Sequence, residues 1–204
     1  MKNRRTLFDL CMVREGARNE KTVKITAMSY LRPCDDKEQR MEDRLLQTSE
    51  YILLRGKGDG NWPGLLREVS IVPARRIDGQ AVIDLHSSVP AEYQENAVFM
   101  MNVVTLHELC LAPGVRNLLT HEGDGNFRFL GKPIVLCDSM PCTKKGNVPI
   151  LYGDFSKICI EDCGRDELWQ ECRSEDSGDA RCAMTGYLNC TLVDRQAVWG
   201  MKLM

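Results

Sequence analysis

The sequence lacks a long hydrophobic segment. Its richest apolar stretch, residues 97–106, is far shorter than the roughly 18 to 20 residues that a membrane-spanning helix requires. The N-terminal residues contain neither a long apolar core nor the small-residue cleavage site of a secretory signal. The sequence therefore predicts an unsecreted protein with no membrane partner.

A pronounced excess of one charge is also missing. The chain of 204 residues contains 27 Lys and Arg against 29 Asp and Glu, which gives a formal net charge of −2. Proteins that wrap nucleic acid usually carry a strong basic excess, so this composition disfavours that function. Basic residues are most frequent before Ile25, where we predict a flexible or weakly structured arm rather than a nucleic-acid patch.

The spacing of a zinc site is absent, although cysteine is abundant. None of the ten cysteines forms a Cys-x-x-Cys pair, and the nearest pairs are Cys137/Cys142 and Cys159/Cys163. The three histidines are far from both pairs in the sequence. Because we expect a reducing compartment, we predict mostly buried cysteines with free thiols, and we disfavour disulfides.

No convergent set of catalytic residues is recognisable. His86 is followed by Ser87 and Ser88, but neither serine lies in a nucleophile elbow. His107 stands beside Glu108 on a predicted helix, where a surface or core-edge histidine is a more common role than a catalytic base. This region therefore predicts no catalytic residue.

Two further positions that involve acidic residues are equally weak candidates for a functional site. His121 lies next to Glu122 and Asp124 in a predicted turn, which is a weak candidate for a metal site. Asp154 has no catalytic partner nearby in the sequence, and we interpret it as a turn residue that accepts hydrogen bonds from its own backbone. We predict no metal site and no cofactor.

The strongest helical pattern covers residues 35–55. Asp35 and Asp36 are candidate caps at its start, and apolar residues such as Met41 and Leu45 recur at helical spacing. Gly56 is predicted to end it, because glycine adopts the positive φ of a helix stop. The glycines that follow come after the helix, whereas a phosphate loop precedes one, so a phosphate site is disfavoured.

The remaining segments mix short helices and strands, which predicts the α+β class. We predict helices at 90–95 and, with Thr105 as its cap, at 105–111. The predicted strands lie at 23–27, 81–85, 97–102, 133–137, 148–152, 158–160 and 197–203. Residues 167–173 and 183–192 are predicted to form a long hairpin with its tip at 174–179.

Several segments together resemble the major capsid protein family of tailed bacteriophages. The family's fold is also that of encapsulin shells and of the floor domain of herpesvirus capsids. The similarity runs from about Lys24 to the C-terminus and is most specific between residues 131 and 157. The segments that carry the resemblance are 53–60, 96–102, 105–106, 131–135, 138–141, 146–157 and 194–198.

The resemblance implies a phage major-capsid fold with two domains. A peripheral domain would contain the long spine helix and the long β-hairpin, and an axial domain would contain a small mixed sheet flanked by helices. The implied divisions are 1–24 as a short N-terminal arm or loop remnant, 25–79 with the spine helix, 80–162 as the axial domain, 163–193 as the peripheral hairpin, and 194–204 as a final axial strand. Because only 24 residues precede Ile25, we expect most of the family's N-terminal arm and extended loop to be absent or shortened.

The implied function is that of a structural subunit of a phage or prophage capsid. Such a subunit would assemble with copies of itself into pentamers or hexamers, with other capsid proteins as further partners. The shell would enclose DNA without sequence specificity, in the virion and, during assembly, in the host cytoplasm. An extended hairpin that cannot bury both faces in its own subunit agrees with self-association.

Two alternatives remain at this point. An encapsulin-like compartment would enclose a protein cargo, but residues 1–20 contain no convincing amphipathic helix to bind one. A small metal-binding or hydrolytic enzyme would use His107, His121 and neighbouring cysteines, and stoichiometric zinc in the purified protein would favour it.

Overall fold

The computed structural model describes residues 6–31, 36–56, 62–122, 126–166, 169–172 and 180–204. Four predicted features lie outside these residues, namely Asp35 as a cap, the glycine loop at 57–61, the turn around 123–125 and the hairpin tip at 174–179. None of the described helices is long and apolar enough to cross a membrane.

The described elements mix helices and strands, as the sequence predicts. The helices are α1 Lys37–Arg55, α2 Leu65–Glu68, α3 Gly79–Ser88, α4 Ala91–Gln94 and α5 Val103–Leu111. The first strands are β1 Met12–Glu15, β2 Val23–Leu31, β3 Ser70–Ala74, β4 Val98–Met101, β5 Leu119–Glu122 and β6 Asn126–Phe129. The later strands are β7 Lys132–Leu136, β8 Ile150–Gly153, β9 Ile158–Arg165, β10 Trp169–Cys172, β11 Ala180–Leu192 and β12 Val198–Leu203.

The chain divides into two compact units. The first contains the residues through Met12, Leu65–Cys159 and Leu192–Met204, and the second contains Val13–Gly64 and Ile160–Thr191. Residues 65–79 were predicted to belong with the spine helix, but they lie in the first unit. The reason is that β3 pairs in parallel with β12, a non-local pairing that the sequence pattern does not indicate.

The first unit is built on a seven-stranded mixed sheet with the order β3-β12-β8-β4-β7-β6-β5. Strand β8 is antiparallel to both of its neighbours, β12 and β4, whereas β4 and β7 are parallel. Both faces of β8 are buried, and the ring of Tyr152 stacks on Phe99 with 4.2 Å between their centroids. These aromatic residues lie in the core of the unit.

The segment at 81–85 was predicted to be a strand, and this prediction is wrong. It lies within α3, whose N-cap Asp78 accepts a hydrogen bond from the amide of Ala81 at 2.9 Å. Val82 and Leu85, three positions apart, are both fully buried. A short apolar run fits a buried helix as well as a strand, and periodicity over five residues does not distinguish them.

The cap of α5 is also different from the predicted one. The helix begins at Val103, so Thr105 lies in its first turn and Asn102 is the N-cap. The Asn102 side chain accepts a hydrogen bond from the amide of Thr105 at 2.7 Å and donates one to the carbonyl of Met140 at 3.0 Å. Asn and Thr are both good helix caps, so the sequence alone does not distinguish Asn102 from Thr105, and the predicted cap was wrong.

Helix α1 of the second unit confirms the predicted long helix. Asp36 caps its start by accepting a hydrogen bond from the amide of Gln39 at 3.2 Å. Met41 and Leu45 are buried. Gly56 ends the helix with a φ of 77°, and its amide bonds the carbonyl of Ile52.

The sheet of the second unit has five strands in the order β1-β9-β11-β10, and β2 pairs with β11 as well. Strands β10 and β11 pair in antiparallel fashion as predicted, but the described pairs join 169–172 to 180–183, so that Ala183 is the one residue of the predicted second arm, 183–192, opposite β10. Residues Val23, Ile25 and Ala27 of β2 are buried and alternate with exposed ones, which confirms the predicted strand. Helix α1 packs on β2, and Leu45 approaches Gly186 of β11.

The N-terminal segment is more ordered than a flexible arm. Leu7 is fully buried, and residues 12–15 form β1. Within the second unit, Arg14 forms an ion pair with Glu161 and Arg18 forms one with Asp166. Two of the basic residues that suggested a solvated arm, Arg14 and Arg18, therefore bind acidic residues of β9 and of the position that follows it.

Candidate functional site

His86 is a packed residue at the edge of the first unit's core. Its ring stacks on Tyr152 at 5.1 Å, and burial, followed by the charge of Lys132, lowers its pKa. The hydroxyl of Ser88 donates to the carbonyl of Asp84 in the preceding helical turn at 2.8 Å. The described hydrogen bond of Ser88 is therefore made to its own helix and not to His86.

The other two histidines lie on the surface. His107 is exposed on α5, and its neighbour Glu108 accepts a hydrogen bond from the hydroxyl of Thr143. His121 is exposed on β5, and its ring lies 4.9 Å from that of Phe127. The structure does not bring these histidines together with His86 in one site.

Asp154 acts as the cap of a short 3-10 helix. Its side chain accepts a hydrogen bond from the amide of Ser156 at 3.0 Å, although the residue is only 4% exposed. Its own amide bonds the carbonyl of Ala197 at 2.9 Å. This geometry holds the turn after β8.

Within the described part of the chain, no three His, Cys, Asp or Glu side chains are close enough to hold a metal ion. The cysteines of the two closely spaced pairs differ in exposure, since Cys142 is half-buried and Cys137, Cys159 and Cys163 are buried. Burial raises the pKa of the Cys163 thiol, which makes it a poor nucleophile at neutral pH.

The first unit has an open cavity of about 410 Å³ lined by Arg75, Arg76, Glu108, Thr143 and Lys145, among others. The guanidinium of Arg76 is held by Asp78 at 2.7 Å. That carboxylate also caps α3, and the two contacts keep the pKa of Asp78 below its usual value, with the amide of Ala81 as the larger cause. Of the charged residues that line the cavity, Arg76 is thus bound to a carboxylate and Glu108 accepts a hydrogen bond from Thr143.

A polar cluster holds residues 14–18 against the sheet of the second unit. Glu161 accepts hydrogen bonds from Arg14 at 2.5 Å and from the buried Asn189 at 2.9 Å. These two donors, Asn189 first, lower the pKa of Glu161. The cluster joins β1, β9 and β11, so its role is to hold strands together.

A second cluster involves an aromatic ring. The guanidinium of Arg18 lies 3.4 Å from the centre of the Tyr187 ring, and the Tyr187 hydroxyl donates to Asp166 at 2.7 Å. Arg18 also donates a hydrogen bond to Asp166. The hydrogen bond from Tyr187, followed by the one from Arg18, lowers the pKa of Asp166. Cation–π contacts of this kind are worth about 0.5–1 kcal/mol at exposed sites.

Four exposed apolar side chains on this sheet were not predicted from the sequence. They are Met12 (50% exposed), Val13 (48%), Met28 (53%) and Tyr30 (58%), all of which lie on β1 or β2. The only sequence signal is the alternation in β2, which places Met28 and Tyr30 on the face opposite the buried residues. The four residues form two separate pairs, because β9 and β11 lie between β1 and β2 in the sheet.

Comparison with known proteins assigns the chain to a family. The profile of the phage capsid family matches residues 38–198, which cover most of both units. The chain belongs to the phage capsid family. It is therefore a structural subunit of a capsid shell, as the sequence resemblance implies.

Solved structures of similar fold agree. The capsid of an empty GTA particle matches this capsid subunit with a TM-score of 0.68 and 17% identity, covering 97% of this chain and 89% of that one. Mycobacterium phage Ogopogo matches with a TM-score of 0.62 and 11% identity, covering 100% of this chain and 93% of that one. At these identities the likeness shows a shared fold.

Encapsulins have the same fold, but their structures match this chain no better than those of the phage capsids do. The holo-SrpI encapsulin complex from Synechococcus elongatus PCC 7942 matches the capsid subunit with a TM-score of 0.58 and 13% identity, covering 89% of this chain and 73% of that one. The comparison with curated proteins found no significant match. The family assignment therefore rests on the phage capsid profile.

Proposed function

We propose that this capsid subunit assembles with its own copies into pentamers and hexamers of a closed shell. The observation that carries the proposal is the phage capsid profile, which covers residues 38–198. The similar GTA capsid was computed with five-fold symmetry, which supports five-fold capsomers for this chain as well. The titratable groups of the described residues serve caps, strand contacts and surface ion pairs, which suits a structural rather than an enzymatic role.

The two units correspond, in this proposal, to the two domains that the sequence resemblance implies. The first unit, with its seven-stranded mixed sheet and short helices, would be the axial domain around the symmetry axes. The second unit, with α1 and the β10–β11 hairpin, would be the peripheral domain. This assignment moves residues 65–79 into the axial domain because β3 pairs with β12.

DNA would be the content of the shell rather than a specific ligand. The near-neutral charge of −2 gives the subunit little long-range attraction for phosphates. Two conspicuous basic residues, Arg14 and Arg18, are already paired with carboxylates. Its location would be the virion capsid, and assembly would take place in the host cytoplasm, where other capsid proteins are further partners.

The test is to purify the protein and measure its size by light scattering and its shape by negative-stain microscopy. We expect rings or shells, and a strict monomer at all concentrations would contradict the proposal. Nuclease-protected DNA inside the particles would support a phage capsid. A protein cargo without DNA would instead indicate an encapsulin-like shell.

A metal analysis tests the alternative that the protein is a metal-binding or hydrolytic enzyme. Elemental analysis of the purified protein should find no stoichiometric zinc, because no group of three His, Cys, Asp or Glu among the described residues could hold a metal ion. Zinc at one ion per chain would revive the metal-site hypothesis for His107 and His121.

A further inference from the structure

The open cavity of the first unit lies at the end of β12, between two basic segments. The amide of Met204 donates to the carbonyl of Ala74 at 2.9 Å, and the amide of Leu203 donates to the carbonyl of Asn147 at 3.0 Å. Ala74 ends β3 and Asn147 precedes β8, and these two strands flank β12 in the sheet. The basic residues of the cavity directly follow Ala74 on one side and closely precede Asn147 on the other.

Three of the four ionisable side chains that line this cavity are positive. They are Arg75, Arg76 and Lys145, and the fourth is Glu108. Glu108 accepts a hydrogen bond from the hydroxyl of Thr143. A concave surface with an excess of one sign of charge concentrates ions of the opposite sign. The lining therefore favours an anion.

The three cations have donor groups that are free to bind such an anion. Arg75 and Lys145 are exposed, and neither forms an ion pair with another described residue. Arg76 is paired with Asp78, but it donates to that carboxylate through Nε. Its two terminal nitrogens make no hydrogen bond to the described residues. A planar guanidinium can donate from such groups to two oxygens of one phosphate.

Backbone hydrogen bonds hold the segment of Lys145 in place before any ligand binds. The amide of Gly146 donates to the carbonyl of Leu203 at 2.7 Å. The side-chain amide of Asn147 donates to the carbonyl of Cys142 at 2.9 Å. These bonds fix the point from which the Lys145 side chain extends. Less conformational freedom is then lost when a ligand binds, which favours affinity.

We propose that this cavity binds a compact phosphate-bearing anion, such as a polyphosphate or the phosphate chain of a nucleotide. Its volume of about 410 Å³ is within the range of roughly 300–1,000 Å³ that is typical of small-molecule sites. A multivalent anion can contact Arg75, Arg76 and Lys145 together and outweigh the opposing charge of Glu108. This site goes beyond the capsid role and does not depend on assembly.

A DNA duplex is the less favoured occupant of the same cavity. The net charge of −2 gives the whole chain little attraction for a long polyanion. A compact anion can place all of its charge beside the three cations. A duplex would leave most of its phosphates outside the cavity, against a surface without a basic excess.

Isothermal titration calorimetry of the full chain with sodium tripolyphosphate tests the site. We expect one ion to bind per chain, and the binding to weaken as salt is added, because the contacts are ionic. Inorganic phosphate should bind more weakly, because it can reach fewer of the cations at once. Absence of tripolyphosphate binding at low salt would overturn the proposal.

Two adjacent lysines provide a matched pair of variants. Lys145→Ala removes a cation of the lining and should weaken tripolyphosphate binding by roughly tenfold, the effect of about one charge-assisted hydrogen bond. Lys144 is also exposed but does not line the cavity. Lys144→Ala should change the affinity by less than about twofold, as expected for a solvated charge. Equal losses for the two variants would indicate attraction to the general surface and would overturn the site.

Glu108→Gln is expected to have the opposite effect. The amide oxygen of glutamine can still accept the hydrogen bond from Thr143, but the charge that repels an anion is removed. Tripolyphosphate should therefore bind several-fold more tightly than to the wild type. Unchanged or weaker binding would mean that the anion does not lie in this cavity.

A short DNA duplex tests the other source of phosphate. We expect it to bind weakly and with the same affinity to the wild type and to Lys145→Ala. A duplex that displaces tripolyphosphate and loses affinity in Lys145→Ala would assign the cavity to the DNA backbone and overturn the compact ligand. Circular dichroism checks that each variant is folded. For a variant that does not fold, the wild-type titrations with tripolyphosphate, phosphate and DNA decide between these outcomes.

Discussion

The two sheets of the molecule differ in how their faces are covered. In the first unit, all four residues of β8 are buried, so both faces of that strand are packed. In the second unit, β2 alternates strictly between buried and exposed residues through Met28, so only one of its faces packs on the chain itself. The first sheet therefore contains a strand that is packed on both faces, whereas β2 of the second sheet leaves one face exposed.

This difference predicts that the first unit depends more strongly on single core residues. Phe99 is fully buried, and its ring contacts those of Tyr152 and Phe129. We expect Phe99→Ala to lower the free energy of unfolding by about 3–5 kcal/mol, because it leaves a cavity among aromatic rings. Urea denaturation, with hydrogen exchange of peptides from β4 and β8, measures the effect.

Ile71→Ala is the matched control in the same unit, because Ile71 is already 36% exposed on β3. Its cost should be well below that of Phe99→Ala. Equal losses for the two variants would contradict the view that the first sheet is held by its aromatic core.

The next test addresses the covered face of the second sheet. Leu45 of α1 is buried and lies close to Gly186 of β11, where an added Cβ would come within 3.1 Å of its side chain. We expect Leu45→Ala to cost about 2–4 kcal/mol, since it removes part of the layer that α1 forms over β2. The measurement is hydrogen exchange of β2 and β11 in denaturant.

Leu46→Ala is the control for that variant, because Leu46 is the neighbouring residue on the same helix and is 39% exposed. A larger loss for Leu46→Ala than for Leu45→Ala would mean that the helix packs differently from the contacts described above.

Sequence reasoning succeeded where a pattern was long and failed where it was short. The 19 residues of α1 and the nine of β2 contain enough turns or alternations to define their period. The five apolar residues at 81–85 did not, and they were assigned to a strand although they lie in α3. Local patterns likewise gave no sign that β3 pairs with β12, because these strands are more than 120 residues apart.

The candidate site was less predictable than the fold for a similar reason. The sequence contains no recognisable catalytic motif, which agrees with a self-associating protein. It does not indicate which surface of the subunit contacts its copies. Met12 and Val13 occur in a segment that was interpreted as a flexible arm, and only the pairing of β1 with β9 shows that they lie on a sheet edge. Exposure of an apolar residue depends on which strand ends up at the edge, and this is a property of the whole topology.

A smaller effect is expected at the start of α1. The Asp36 side chain accepts the amide of Gln39, which would otherwise lack a partner within the helix. Asp36→Ala should cost about 1 kcal/mol, and Asp36→Asn, which retains the acceptor, should cost less. Thermal unfolding of the free subunits measures both, and identical losses would indicate that the cap is not formed.

The smallest expected effect is a pH dependence in the second unit. Bonds from Asn189 and Arg14 hold the pKa of Glu161 below its ordinary value of 4.5, so the unfolded chain binds the proton more readily than the folded one. The stabilisation is therefore complete above pH 4.5 and is lost as the pH falls through the lower folded-state pKa.

The melting temperatures of wild type and Glu161→Gln should differ at pH 7 and converge as the pH approaches 3. A constant difference between wild type and Glu161→Gln at all pH values would mean that the polar cluster does not hold β1 to the sheet through charge. The edge of the sheet would then depend on backbone pairing alone.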